Sequence, residues 1–503
     1  MVGKAQLMSK PNIILICADQ FRGDCLGIAG HPDVKTPFLD TLATRGVYFP
    51  HAYSACPTCV PARAVLHTGR TPYHTGRLGY QDGVEWCYRD TLASCLAAGG
   101  YHCVNVGKMH VYPPRRRMGF HEVRLHDGFL HHERHCDRLY GEAQERYDDY
   151  AQDLLRALGR HEGVLDGVAD SNSWVQHAWP HDEALHPTNW VVDHCLDVLR
   201  RHDRSEPLFL MASFVRPHPP YDAPQAYVDF YRARDLAKPA TGDWDDLESL
   251  QKYGRIQNSH TGPVDPELIH EERAAYYACI THLDHQLGRL FKGFEMADIL
   301  DDSVIIFCSD HGEMLSDHAL ARKSLPYQGS IHIPLILSGS ERYLGPTWRR
   351  DERLVELMDI MPTCLALAGL PCPDSVDGLS LLSQEGEEVQ EGEKCQAERE
   401  QPGRQILHGE HTYGWGLSHH FIVTRQDKYI WFSETGREQY FRLDRDPMES
   451  QNLVLDPDSQ ARIADLRQSL IETLKDRPEG FVKNGQLQKG SCAWTVHPHA
   501  TAP

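Results

Sequence analysis

No run of about eighteen apolar residues occurs anywhere in these 503 residues, which excludes a membrane-spanning helix. Basic charge is scarce as well: 51 Lys and Arg stand against 71 Asp and Glu, a net charge of −20. A nucleic-acid partner needs a basic face to neutralise phosphates, so none is expected, and an anionic ligand must be drawn by a local cationic pocket. Residues Met1 to Lys10 hold no apolar signal core. The fifteen cysteines are odd in number and scattered through strand and helix patterns, which fits free thiols in a reducing cytoplasm better than a disulfide framework. No internal repeat is visible, and oligomeric state is left open. What is present is length: the chain exceeds one ordinary core, so two unequal units are expected.

Strand, loop and helix patterns alternate from Pro11 to about Leu382. They predict an α/β domain over 1–383, built on a large mixed, mostly parallel sheet with helices on both faces. Ala275, Cys279, Leu283, Leu287 and Leu290 recur near helical spacing and predict a long helix over Glu271–Met296. Residues 384–404 are rich in Glu, Gln and Gly and read as an acidic, solvated linker. In 405–503, stretches His408–Trp431 and Tyr440–Leu443 predict a small antiparallel sheet, and about Asp458–Asp476 a closing helix.

One stretch carries chemistry more plainly than the rest: Cys56-Pro57-Thr58-Cys59-Val60-Pro61-Ala62-Arg63, continuing to Thr68-Gly69-Arg70. Pro61 suits a first helical turn, where a missing N–H costs nothing, and Gly69 suits its end. Cys59 then sits at or near the N-cap, where free N–H groups attract anions, and Arg63 projects toward the same end. The arrangement reads as a cradle for a tetrahedral oxyanion. A redox pair or half a zinc site is the competing reading of Cys56-x-x-Cys59, although a second such pair is absent; a buried structural cysteine is the plainest.

Two distant segments share a pattern. Pro11 to Ala18 is an apolar strand ending in Asp19-Gln20, and Ser303 to Ser309 is another ending in Asp310-His311. Ligands of open α/β sheets collect at the carboxyl ends of such strands, so Asp19, Gln20, Asp310 and His311 are candidates to surround one divalent cation. Lys108 and His110 follow a third short strand at a spacing that puts them on one face of an extended segment. His218 follows a fourth, between prolines that hold it in an extended loop, as a candidate general acid.

Cys59-x-Pro61-x-Arg63 followed by Thr68-Gly69 resembles the signature of the type I sulfatases of the alkaline phosphatase superfamily, and the resemblance runs from about Pro11 to about Leu453. It implies an alkaline phosphatase-like fold. It also implies a formylglycine made from Cys59 by a maturation enzyme, whose hydrated diol attacks a small-molecule sulfate ester. Many family members have Ser where this chain has Ala62. By the same resemblance, Asp19, Gln20, Asp310, His311 and the modified Cys59 hold a divalent metal. Calcium is the first choice, with magnesium, manganese and zinc open. Arg63, Lys108 and Lys323 contact the sulfuryl oxygens, Asp310 or a neighbouring carboxylate assists the diol, and His110 aids release of sulfate. Phosphonate monoester hydrolases and phosphodiesterases of the superfamily are similar too; retention of the Lys108-x-His110 pair favours sulfate. An unmodified Cys59 would leave a metal-binding or redox protein. For the organic part of the substrate, His408, His411 and Trp415 are candidates, with Gly119–His135 and Gly141–His177 as pocket walls; aryl, sugar and steroid sulfates stay open.

Overall fold

The structure is a computed structural model and describes residues 10–127, 148–159, 172–382, 403–413, 417–490 and 494–497. Its centre is an eight-stranded sheet made of β1 (Asn12–Asp19), β2 (Gly46–Tyr48), β3 (His102–Gly107), β4 (Glu122–Leu125), β5 (Leu208–Pro217), β6 (Ser303–Ser309), β7 (Leu335–Gly339) and β8 (Arg349–Arg350), in the order β4-β3-β5-β1-β6-β7-β2-β8. Of these only β7 runs against the others. The expectation of a mixed, mostly parallel sheet therefore holds.

The apolar runs of β1 and its neighbours are continuous because both faces are covered. Ile14, Ile16 and Ala18 point into a core shared with α1 (Pro37–Thr44), α4 (Pro187–Arg201) and α5 (Pro266–Met296). Ile13, Leu15 and Cys17 point into a second core shared with α2 (Cys59–Thr68), α3 (Leu92–Ala98) and α6 (Ile360–Leu367). Helix α5 begins five residues before the predicted start, because the Asp265 carboxylate caps the N–H of Glu267 and Pro266 occupies the first helical position.

Register explains how remote residues meet. Strand β1 pairs in parallel with β6 from Asn12↔Ser303 to Ala18↔Ser309, so Asp19 and Asp310 leave the sheet side by side. Strand β5 flanks β1 on the other side, and β3 pairs with β5 up to Gly107↔Ser213, which delivers Lys108 and His218 to the same edge.

The C-terminal sheet consists of β9 (Leu407–His411), β10 (His419–Val423), β11 (Lys428–Phe432) and β12 (Glu438–Phe441), antiparallel in sequence order. One face, with Phe421, Ile430 and Phe432, packs on Tyr53, Met314 and Tyr327 of the large unit. The other, with Ile422, Tyr429 and Trp431, packs on Ile463, Leu466 and Leu470 of α7 (Gln460–Leu474). The acidic linker expected over 384–404 lies almost wholly outside the described residues. Among the described residues no helix is long and apolar enough to cross a membrane, and every cysteine is a free thiol.

Gly107 ends β3 with φ +100°, and a Cβ there would lie 1.9 Å from the Ser213 carbonyl oxygen. Gly107→Ala is expected to cost about 2–3 kcal/mol and to displace Lys108. Gly100→Ala, with φ +87° but open space around it, should cost about 1 kcal/mol. Thermal unfolding of both variants separates backbone conformation from close approach.

Candidate active site

Thr58, in extended conformation, is the N-cap of α2, and Cys59 is its first residue. Pro61 falls in the first turn, where no N–H is needed, and Gly69 closes the helix at φ 64° by donating its N–H to the Val65 carbonyl. This geometry aims Cys59 at the sheet edge. Its Sγ lies 3.2 Å from His311 Nε2 and 3.7 Å from Asp19 Oδ1. Ligand atoms of Asp19, Cys59, Asp310 and His311 all lie within 4.8 Å of one another, and all four side chains are buried. Burial and Asp19 would raise the Cys59 thiol pKa, yet Lys108, Lys323 and His311 together bring it below its ordinary value.

Two carboxylates this close in a water-free setting need opposing charge. Lys108 pairs with Asp19, and Arg63 donates from Nε to Asp310 Oδ2 at 2.9 Å. Against the penalty of burial, Lys108 holds the Asp19 carboxyl well below the usual range. Arg63 also donates from Nη1 to the Lys108 carbonyl at 3.1 Å and to Ser213 Oγ at 3.0 Å. Its guanidinium is thus occupied in holding Asp310 and the end of β3. Helix α2 directs Arg63 under the sheet edge, where its Nε and Nη1 position these groups. Its Nη2 alone has no hydrogen-bond partner.

Lys323 and His218 close the other side. Lys323 Nζ donates to Gln20 Oε1 at 2.6 Å, to Asn172 Oδ1 at 3.2 Å and to His218 Nε2 at 2.7 Å. His218 Nδ1 lies 2.8 Å from the Pro219 carbonyl, which only accepts, so Nδ1 carries the proton and Nε2 receives Lys323. Burial, reinforced by Lys323, keeps the His218 pKa well below ordinary. As it stands this imidazole is neutral and Lys323 holds the exchangeable proton. His311 has the same ring orientation, with Nδ1 at 3.0 Å from the Gly312 carbonyl and Nε2 facing Cys59, but against the penalty of burial Asp310 and Cys59 push its pKa up to about 9.

Other expectations are revised. Gln20 has its amide engaged by Glu313 and Lys323, so in this structure it bridges those two side chains. His110 does not share a face with Lys108 in an extended segment: β3 ends at Gly107, His110 has φ 59°, and its Nε2 lies 3.2 Å from the Tyr80 hydroxyl. His408 and His411 cannot both meet one ligand, because three residues along a strand point to opposite faces. His408 stacks on His420, whereas His411 turns inward and lies 2.7 Å from the Thr58 hydroxyl. That odd spacing was readable in the sequence. Trp415 lies outside the described residues, as do 128–135, 141–147 and 160–171 of the two expected wall segments. Asn172 and Glu313 were not anticipated. Asn172 lies in the Gly141–His177 segment expected as a pocket wall, where no motif singles it out, and Glu313 stood inside the strand-end motif, two residues past His311.

The four buried donors suit a divalent cation: two carboxylates supply hard oxygens, and His311 Nε2 supplies a nitrogen once a cation displaces its proton. The Cys59 sulfur is the odd member for a hard ion, and an oxygen there would suit it better. A cysteine at a helix head, convergent carboxylates and two lysines at the carboxyl edge of a mostly parallel sheet define an anion-binding site of the kind found in α/β enzymes. A family model described as sulfatase matches residues 11–370, and one described as N-sulphoglucosamine sulphohydrolase, C-terminal, matches residues 316–476. An arylsulfatase of Clostridium perfringens (strain 13 / Type A) is 43% identical, covering 96% of this chain and 98% of that one. A multifunctional alkaline phosphatase superfamily protein of Trinickia caryophylli is 28% identical, covering 92% and 95%. Among solved structures, the phosphonate monoester hydrolase of Agrobacterium radiobacter aligns with a TM-score of 0.74 at 26% identity, covering 92% and 95%. The chain belongs to the sulfatase family.

Arg63→Met leaves the buried Asp310 beside Asp19 without its cation. It is expected to destabilise the fold by about 3–5 kcal/mol, measured by urea unfolding. A loss below about 1 kcal/mol would show that the pair does not carry the charge balance.

Proposed function

We propose that this enzyme hydrolyses sulfate monoesters through an oxygen nucleophile derived from Cys59, beside a divalent metal held by Asp19, Asp310 and His311. The observation that carries this reading is the position of Cys59 at the head of α2, 3.2 Å from His311 Nε2 and facing Lys108 and Lys323. A formylglycine hydrate at this position would supply both the attacking oxygen and a second hydroxyl for releasing sulfate, which a thiolate lacks. The cation would polarise a sulfuryl oxygen and favour ionisation of the nucleophile. Calcium is the ion we assign, on the strength of the two carboxylates, with magnesium, manganese and zinc as competitors.

The protein's own groups do the rest. Sulfuryl transfer moves charge onto the leaving oxygen, so positioned cations lower the barrier. Lys108, anchored on Asp19, and Lys323, anchored on Gln20 and Asn172, offer ammonium groups to the sulfate from two sides. His218, neutral and hydrogen-bonded to Lys323, passes a proton from that lysine to the departing alcohol or phenol. We place the enzyme in the cytoplasm, in keeping with its free thiols. It requires a formylglycine-generating partner.

The similarity to a phosphonate monoester hydrolase favours a second reading, in which a phosphonate monoester or phosphodiester occupies the same site. Rates on a sulfate monoester and a phosphonate monoester with one common phenol separate the two, and the sulfate is expected to be faster.

Intact-mass measurement of the Cys59 peptide is expected to show conversion of thiol to aldehyde, and Cys59→Ala to abolish turnover of a chromogenic aryl sulfate. An aldehyde-free peptide with full activity in Cys59→Ala would overturn the mechanism. Lys108→Ala should lose at least about a thousandfold in kcat. Metal analysis of the purified protein, with loss of activity on chelation and recovery on adding back one ion, identifies the cation.

A further inference from the structure

Lys323 is carried by an unusual stretch of backbone. Between Glu313 and Ser324, the residues Leu315, Ser316, His318, Ala319, Arg322 and Ser324 all have φ between 52° and 75°, and none is glycine. Each such residue is in a conformation that a side chain disfavours, so a loop of this kind persists only where its surroundings over-determine it.

The surroundings converge on one carboxylate. Glu313 is buried, and its Oε1 accepts the backbone N–H of Leu315 at 3.0 Å and that of Arg322, tying the two ends of the loop together. Met314 closes the same ring by donating its N–H to the Arg322 carbonyl at 2.7 Å. Arg22 braces it from beneath, donating to the carbonyls of Glu313 at 3.1 Å and Met314 at 3.0 Å. The second oxygen of Glu313 accepts from Gln20 Nε2.

That last contact has a directional consequence. A carboxylate with three donors converging on it accepts only, and an ammonium donates only. Gln20 stands between the two, so its amide has one orientation: NH2 toward Glu313, oxygen toward Lys323 at 2.6 Å. The Gln20 backbone is itself held in place, with its N–H on Asp310 Oδ1 at 3.2 Å and its carbonyl accepting from Tyr276 at 2.7 Å. Lys323, in turn, donates to His218.

We propose that Glu313 and Gln20 are positioning residues that aim Lys323 and His218 at the leaving oxygen. The proposal rests on the hydrolytic reading above. Glu313 acts twice, once by closing the strained loop that carries Lys323 and once by fixing the amide that receives its ammonium. In Glu313→Gln an NH2 group must oppose one of the three donors. The Gln20 amide is then free to turn its own NH2 toward Lys323, which repels the ammonium from its station. Because Lys323 and His218 serve the departing oxygen, the damage should grow as that oxygen becomes a poorer leaving group.

The test is a series of aryl sulfates, and the matching phosphonate monoesters, graded by the acidity of the phenol. Glu313→Gln and Gln20→Met are each compared with wild type, with thermal melting and metal content measured alongside. Both variants are expected to keep the wild-type metal content. They should lose less than about tenfold in kcat/KM with the most acidic phenol and about a hundredfold or more with the least acidic. Ser316→Ala lies in the same loop and touches only Glu272 among the acidic groups described here. It should keep the wild-type dependence on leaving group. Where Glu313→Gln melts below the assay temperature, Gln20→Met carries the comparison. A folded variant that slows every substrate by one factor, or slows none, overturns the proposal and leaves the hydrolytic reading intact. Failure of wild type to turn over either series rejects that reading, and this proposal with it. Loss of bound metal in Gln20→Met would return Gln20 to the metal shell and overturn its bridging role.

Discussion

Everything at the sheet edge depends on placing two carboxylates, Asp19 and Asp310, side by side out of contact with water. Parallel pairing of β1 and β6 makes this unavoidable once both strands end in Asp. Repulsion between such groups in a low-dielectric interior amounts to several kcal/mol, so each must have its own cation. Lys108 and Arg63 fill that need, and both come from other segments. The large sheet, the nucleophile helix and the turn after β3 are therefore held together by electrostatic necessity as well as by packing. A bound divalent ion would add to that balance from the front, where Cys59 and His311 face the same carboxylates.

Arrangement around this centre divides into two sides of different character. On one, Lys108 and Arg63 are spent on carboxylates and stay charged. On the other, Lys323 faces amide and imidazole acceptors, and burial lowers its pKa. An ammonium paired with neutral acceptors gives up a proton more readily than one paired with an anion. The two lysines, alike in sequence, are thereby moved in opposite directions, Lys108 toward holding its proton and Lys323 toward losing it.

Much of this was legible in the chain. Two apolar runs ending in Asp and an extended-to-helical switch at Cys59 place the strand ends and the helix mouth correctly, because both signals are local. The parallel sheet followed from alternating patterns, and Gly69 marked the end of α2. What could not be read depends on direction in three dimensions. Helical spacing put Arg63 near the N-terminus of α2 without revealing that its guanidinium would pass beneath the sheet edge. The extended reading of Lys108-x-His110 failed where a left-handed residue turned the chain. His411 looked like a ligand contact and instead grips Thr58, a partner 353 residues away. Lys323 was found only through a family pattern, since no local periodicity survives in a loop with six left-handed residues.

The burial of Cys59 also sets an order of events. Its side chain is 1% exposed, beneath a strand end about 250 positions downstream, and its N-cap is gripped by the C-terminal sheet. A protein catalyst that must touch this sulfur has no path to it once β6 has paired with β1 and β9 has docked. The conversion proposed for this residue would therefore belong to the growing or newly released chain. Folding would then seal in whichever side chain, thiol or aldehyde, the residue carries at that moment.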